Sequence, residues 1–361
     1  MASSKNIAVL GGGNGAFAMA ADLCSKDYLV NLFEMPEFKD KIRTVFETGT
    51  IECTGKINGK FKLNKVTDDI GEAIRDVKYI MVVTPAFAHQ NYARLLKGKV
   101  NKDQVIVTFP GAFASLIYKK EFEGYECPIF AETNDLPYNT RILGPGRVHI
   151  YDMEAVEYAF MPPNSINEIL PDIDEMLGHT GLFSDVMECG LSLVNPALHT
   201  GPCVLNAGLI ENWTQEFFLY EQGFTPSTVK MDMALDSERK KIAAKFGYDI
   251  NPFECFPNIK GEYEWEDLYR AAHGDIGLTP IKGPNDINSR YFTEDAPCGL
   301  VPWAYLGRIA GVETPVIDSV INIYNVIHEK NWWEEGVTIS DLGLDNKSID
   351  EIKEYVGTPA K

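Results

Sequence analysis

Three small residues stand at fixed spacing just after the first apolar run. They are Gly11, Gly13 and Ala16, in Leu10-Gly11-Gly12-Gly13-Asn14-Gly15-Ala16. Their G-x-G-x-x-G/A spacing suits a loop that cradles a pyrophosphate. Gly11 permits a tight turn. Gly13 leaves the backbone bare for close approach, and Ala16 lets the following helix pack on the strand. The start of that helix, at Asn14 and Gly15, offers N–H groups and a positive dipole end to phosphate oxygens. A second apolar run, Leu29 to Phe33, ends in Glu34. An acid at that place accepts hydrogen bonds from ribose hydroxyls. No arginine follows it directly, so a 2′-phosphate finds no partner, which points to NAD rather than NADP. The loop alone also fits an ordinary turn. Strand, turn, helix, strand and acid together carry the reading.

Two later stretches hold residues suited to proton chemistry. One is Asn195-Pro196-Ala197-Leu198-His199-Thr200-Gly201-Pro202. The other runs from Ser289 and Arg290 through Asp295 to Pro302. A histidine moves a proton near neutral pH. Asp295 can hold its ring and stabilise the imidazolium. Arg290 can grip a carboxylate through two parallel hydrogen bonds. From spacing alone, a satisfied core histidine and a structural Arg–Asp pair fit these residues better, because lone histidines on helices are common.

These residues need elements to hold them. Tyr79 to Val83, Val105 to Phe109 and Pro128 to Glu132 are continuous apolar runs, the mark of strands buried on both faces. Each ends in a turn: Thr84-Pro85-Ala86, Pro110-Gly111-Ala112 and Thr133 to Tyr138. In a doubly wound sheet, ligands sit beyond the carboxyl ends of the strands. Thr84, Pro85 and Ala86 are therefore expected to line the cofactor cleft. His89 either approaches the cofactor or lies on a surface helix. Asn58-Gly59 between Thr50 to Cys53 and Phe61 to Leu63 predicts a hairpin. The pattern from Arg147 to Tyr158 predicts further strands, and that from Ser165 to Leu177 a helix. Beyond Cys189 helical segments dominate: Ala207 to Tyr220, Thr225 to Lys245 and Thr314 to His328. The expected fold is α/β, a Rossmann-type doubly wound parallel sheet in residues 1–188 and a mostly α-helical domain in residues 189–361.

With 361 residues the chain is too long for one typical core. A net charge of −19 argues against nucleic acid and anionic membrane as partners. No apolar run reaches a membrane span. Met1 to Lys5 leads straight into the first strand and leaves no room for a signal peptide, so the cytoplasm is expected. Seven cysteines without C-x-x-C spacing favour free thiols. Six dispersed histidines give no metal pattern, so no metal is expected. The aromatic residues Trp213, Trp332 and Trp333 would suit an oligomer surface, as in a homodimer.

Across nearly the whole chain these motifs resemble the opine dehydrogenase family, which includes octopine and nopaline dehydrogenases. The resemblance rests on the glycine loop, Val82-Val83-Thr84-Pro85-Ala86, and Glu132-Thr133 with Leu136-Pro137-Tyr138 and Arg141. It also rests on the His199 stretch and on Arg290 to Pro302, which are the specific parts. It implies a Rossmann domain that binds NAD or NADP, then a helical domain, with the active site in the cleft between. His199 resembles the family's catalytic histidine and Asp295 the aspartate that pairs with it. Arg290 matches an arginine expected near a substrate carboxylate. Thr133, Leu136, Tyr138 and Arg141 fall where the amino-acid substrate is met. The implied reaction joins an α-keto acid, such as pyruvate, to the amine of an L-amino acid through an imine that NADH reduces. Gly111-Ala112 departs from relatives that place a polar residue there. The stretches Trp213 to Tyr220 and Phe253 to Tyr269 have no clear counterpart. Two rivals use the same loop: a hydroxy-acid dehydrogenase of the ketopantoate reductase or glycerol-3-phosphate dehydrogenase type, and a non-catalytic NAD sensor.

Overall fold

The computed structural model describes residues 3–212, 216–250, 264–274 and 281–357. Trp213 and Phe253 lie outside these residues. The chain divides into two compact units, Met1–Gly190 with Lys353–Lys361, and Leu191–Ile352. The division falls two residues later than the sequence places it. The C-terminal tail groups with the first unit rather than the second. Lys119 explains this locally: its ammonium donates to the Tyr355 carbonyl and lies 4.1 Å from the centre of the Tyr355 ring.

The first unit holds twelve strands among the described residues. They are β1 (Ser3–Leu10), β2 (Leu29–Phe33), β3 (Thr50–Gly55), β4 (Gly59–Lys62), β5 (Lys65–Thr67) and β6 (Val77–Val82). The rest are β7 (Val105–Thr108), β8 (Ile129–Thr133), β9 (Tyr138–Gly144), β10 (Arg147–Met153), β11 (Glu157–Met161) and β12 (Gly181–Leu182). Eight form one sheet in the order β12-β11-β8-β7-β6-β1-β2-β5. From β1 the chain winds outward through β2 to β5, then returns to β6 on the other side of β1. That reversal makes the carboxyl ends of β1 and β6 a switch point, where ligands bind in such sheets. The sheet is parallel except that β11 runs antiparallel to β8. This is the one departure from the expected parallel sheet.

The remaining strands form a small sheet in the order β4-β3-β10-β9. The predicted hairpin is β3–β4, pairing Thr50 with Lys62. Its turn sits earlier than Asn58-Gly59, because Gly55 takes φ +97° and Asn58 Nδ2 donates back to the Gly55 carbonyl at 2.7 Å. Helix α1 (Asn14–Ser25) touches strands of both sheets. Its alanines at 16, 18, 20 and 21 are buried, and small residues are what allow a helix to be covered on several sides. Further helices are α2 (Arg43–Thr48), α3 (Ile70–Ala73), α4 (His89–Leu96), α5 (Ala114–Glu121), α6 (Ile166–Met176) and α7 (Val186–Ser192).

The second unit is built from α8 (Asn195–Leu205), α9 (Ala207–Asn212), α10 (Pro226–Phe246), α11 (Trp265–Ala271) and α12 (Arg290–Thr293). It continues with α13 (Val301–Ala310), α14 (Pro315–His328) and α15 (Trp332–Glu335), while α16 (Ile349–Val356) crosses the division after Ile352. Helix α10 is its axis. Thr225 caps it with a capping box, and Gly247 ends it in the left-handed region. Two of its buried charges cap other segments. Glu238 accepts the N–H groups of Val316 and Ile317, each at 2.9 Å, at the start of α14. Arg239 donates to the carbonyls of Leu191 and Leu193 at 2.9 and 3.1 Å. Of the helix expected from Ala207 to Tyr220, α9 covers Ala207–Asn212, residues 213–215 lie outside the described residues, and Leu219–Gly223 forms a π-helical turn. Trp332 and Trp333 do not form an open aromatic face. Trp332 is buried, and Trp333 donates to Asn322 Oδ1 at 2.9 Å under the Arg308 guanidinium.

Gly11 has φ +120°, and a Cβ there would lie 2.6 Å from the Val83 carbonyl oxygen. Gly11→Ala should therefore cost about 1–3 kcal/mol of stability through backbone strain, read as a lower urea midpoint.

Candidate active site

The first unit presents a dinucleotide cradle. Gly11 donates its N–H to the Phe33 carbonyl at 2.9 Å, which ties the loop to the end of β2. A Cβ on Gly13 would meet nothing within 4 Å, so the backbone there faces open space. Gly13 caps α1 without any side-chain hydrogen bond. The N–H groups that open α1 are thus offered to an anion. Asn14 does not compete for them; its Oδ1 accepts the Ile142 N–H at 2.7 Å and straps the loop to β9. Gly15 and Ala16 are buried, and a Cβ on Gly15 would lie 2.8 Å from Leu136 Cδ2.

Glu34 follows β2 and folds onto the loop. Its Oε1 accepts the Met35 N–H at 2.8 Å, and a Cβ on Gly12 would lie within 2.4 Å of its Oε2. Burial pushes its carboxyl up, against the pull of the Met35 and Gly12 N–H groups. Thr84 stands beside Gly11, its Cγ2 3.2 Å from where a Cβ would be. Pro85 and Ala86 continue that turn at the end of β6. An open glycine, an uncapped helix start and an acid at the next strand's end fit a dinucleotide.

The second unit holds the groups suited to proton chemistry. His199 lies on α8, and its Nδ1 meets Asp295 Oδ2 at 3.0 Å. Its Nε2 lies 3.4 Å from the Tyr220 hydroxyl, and Tyr291 packs edge-on with ring centres 4.9 Å apart. Arg290, next to Tyr291, does not pair with Asp295. Its Nε donates to Glu294 Oε2 at 2.5 Å on the same turn. Its side chain is 63% exposed, so its guanidinium is available to a ligand. Asp232 on α10 is buried against Gly201, whose Cβ would fall 1.9 Å from Oδ1. Burial raises that carboxyl well above the usual range, against a smaller pull from the Gly201 N–H.

Comparison with known proteins settles the relationship. Residues 182–328 match the family model described as NAD/NADP octopine/nopaline dehydrogenase, alpha-helical domain. An opine dehydrogenase from Arthrobacter sp. (strain 1C) is 31% identical over 362 residues, covering 99% of this chain and 100% of that protein. The chain belongs to the opine dehydrogenase family. It is accordingly an oxidoreductase acting on a CH–NH group with NAD or NADP. Solved structures share the fold. An octopine dehydrogenase in complex with NADH and agmatine gives a TM-score of 0.74 at 20% identity, covering 96% of this chain and 97% of that one. A yersinopine dehydrogenase with NADP+ bound gives 0.72 at 15% identity, covering 98% and 97%.

Within this opine dehydrogenase family member, the structure redistributes the residues expected at the substrate. The Thr133 hydroxyl donates to the Asp135 carbonyl at 2.7 Å inside its own turn. The Tyr138 hydroxyl donates to the buried Asp22 of α1 at 2.8 Å. Burial obliges each hydroxyl to find an internal partner, and each has one. Leu136 belongs to the wall of the glycine loop. Arg141 is exposed on β9, with Nη1 on the Thr140 carbonyl at 2.7 Å. His89 is not on the surface: it is fully buried at the start of α4, and burial lowers it to about 4, so it stays neutral. Trp213 and residues 253–263 of the unmapped stretches lie outside the described residues. Among the described residues no three His, Cys, Asp or Glu side chains gather as metal ligands, and no helix is long and apolar enough to cross a membrane.

Sequence reasoning missed Tyr220 and named Glu132 only as part of a family motif. Tyr220 lies 21 residues beyond His199, and only the fold brings it there. Glu132 ends β8 in the interior and caps α5, its Oε2 accepting the Ser115 N–H at 2.8 Å. Gly111 makes this possible, since a Cβ there would lie 2.4 Å from Glu132 Cβ. Burial pushes the Glu132 carboxyl up to about 7 from 4.5, opposed by the Ser115 and Phe113 N–H groups. Between those values the folded chain keeps a proton that the unfolded chain has released. Stability therefore falls as pH rises through that window and is not lost further above it. Glu132→Gln should remove this slope. Relative to the variant, the wild type should lose ~1–3 kcal/mol between pH 5 and pH 8, measured by urea unfolding at both.

Proposed function

We propose that the chain joins an α-keto acid to the amine of an L-amino acid and reduces the resulting imine, with His199 as proton carrier. The observation that carries this reading is the 3.0 Å bond between His199 Nδ1 and Asp295 Oδ2. It lies in the helical unit, where the family match falls. An ionised Asp295 requires the proton on Nδ1, so Nε2 is the working atom.

The amino acid arrives as an ammonium and must lose a proton before its nitrogen can attack. His199 Nε2 accepts that proton, and Asp295 stabilises the imidazolium. The N–C bond then forms, and the keto oxygen becomes a hydroxyl by taking a proton from the nitrogen. His199 returns its proton to that hydroxyl as the C–O bond breaks. Water leaves, and the nitrogen lone pair closes the C=N bond. Arg290 holds a substrate carboxylate, kept in register by Glu294 at Nε. The dinucleotide, when bound, supplies the hydride for the imine carbon. Free thiols at Cys24, Cys53, Cys127, Cys189, Cys203 and Cys298 suit a reducing compartment, and we place the protein in the cytoplasm.

NADH oxidation should be fast with pyruvate plus one of the common L-amino acids and slow with pyruvate alone. Fast oxidation with the keto acid alone would favour a hydroxy-acid dehydrogenase. His199→Ala and Asp295→Ala should each lose about 10²–10⁴-fold in turnover while binding NADH as before. Wild-type turnover by His199→Ala would end the assignment.

Glu34 presents a buried acid where a 2′-phosphate would have to sit. NADH should therefore bind at least about tenfold more tightly than NADPH, a difference worth ~1.4 kcal/mol. Fluorescence titration of both nucleotides measures it, and Glu34→Ala should narrow the gap.

A further inference from the structure

His199 sits midway between two prolines of α8, Pro196 three residues before it and Pro202 three residues after. Each proline is the seat of a π-helical turn that approaches through a glycine. Gly299, in the turn Ala296–Leu300, lies so close that a Cβ would meet Pro196 Cγ at 2.2 Å. Gly223, closing the turn Leu219–Gly223, would place a Cβ 3.2 Å from Pro202 Cβ. The first turn begins just after Asp295 and brings its carboxylate to Nδ1. The second contains Tyr220 and brings its hydroxyl to within 3.4 Å of Nε2. π-Turns interrupt helices at a cost and recur at functional sites. Here two of them serve the two nitrogens of one imidazole.

We propose that Tyr220 is a further catalytic residue, whose O–H binds the same substrate oxygen that receives the proton from His199 Nε2. This rests on His199 being the proton carrier. A separation of 3.4 Å is long for an O–H···N bond, so hydroxyl and imidazole stand side by side rather than tightly joined. The departing hydroxyl of the amine–keto acid adduct sits to one side of the pair, within hydrogen-bond reach of both. His199 supplies its proton, and the Tyr220 O–H donates a hydrogen bond to the oxygen as the C–O bond lengthens. The nitrogen lone pair forms the C=N bond, and water departs with both electrons of the broken bond. Tyr220 keeps its proton throughout and needs no reloading. The Phe224 ring, 5.0 Å away, and burial of the phenol fix its direction.

Tyr220→Phe removes only the hydroxyl. Turnover should fall about 10–10²-fold, with the Michaelis constants, NADH affinity and melting temperature near those of the wild type. Chlorotyrosine placed at position 220 alone lowers the phenol's pKa, and should move the alkaline limb of the turnover–pH profile to lower pH. Turnover of Tyr220→Phe within about twofold of wild type, or an unmoved alkaline limb, overturns the proposal. His199→Ala run in parallel separates the two claims. If it is dead while Tyr220→Phe is active, Tyr220 alone is dismissed; if it is active, the reading of His199 has failed.

Discussion

The proposed chemistry depends on one imidazole whose two nitrogens have different neighbours. A free histidine exchanges its proton between Nδ1 and Nε2. Asp295 at 3.0 Å ends that exchange by favouring the proton on Nδ1. What holds Asp295 there is steric. Gly299 has no side chain to keep its turn away from Pro196, so the turn settles on α8 and the carboxylate arrives beside the ring. A methyl group at that glycine would meet the proline ring and push Asp295 out of reach.

Burial also acts on the groups near the imidazole. Asp232 approaches α8 through Gly201, and its full burial raises its carboxyl well above the usual range. Asp295 is partly exposed and bonded to His199. Glu294 is matched by Arg290. The same rule acts in the first unit. Glu132 and His89 are both fully buried, and burial pushes the acid up and the base down, so each tends toward neutrality.

The cofactor half follows from topology. Reversal of strand order next to β1 leaves the ends of β1 and β6 side by side, so the Gly11 turn and the Thr84 turn meet. On the proposed reading the two compact units carry separate tasks: nucleotide binding on one, proton transfer and carboxylate binding on the other.

Much of this was legible in the residue order. The glycine spacing, Glu34 at the end of the next strand, and the buried apolar runs are local patterns, set by backbone sterics and by period, and they located the candidate cofactor cradle and most of the sheet. The family motifs located His199, Asp295 and Arg290. Other features depend on groups far apart in the chain meeting in space. Tyr138 reads as a loop aromatic until its hydroxyl is found on Asp22, 116 residues away. Arg290 reads as a partner for Asp295 until a helical turn places Glu294 closer. Tyr220 carries no local signal, because its place beside Nε2 comes from a glycine fitting against a proline of another helix. Local sterics and periodicity wrote the elements into the sequence; long-range packing chose which side chains were left to do chemistry.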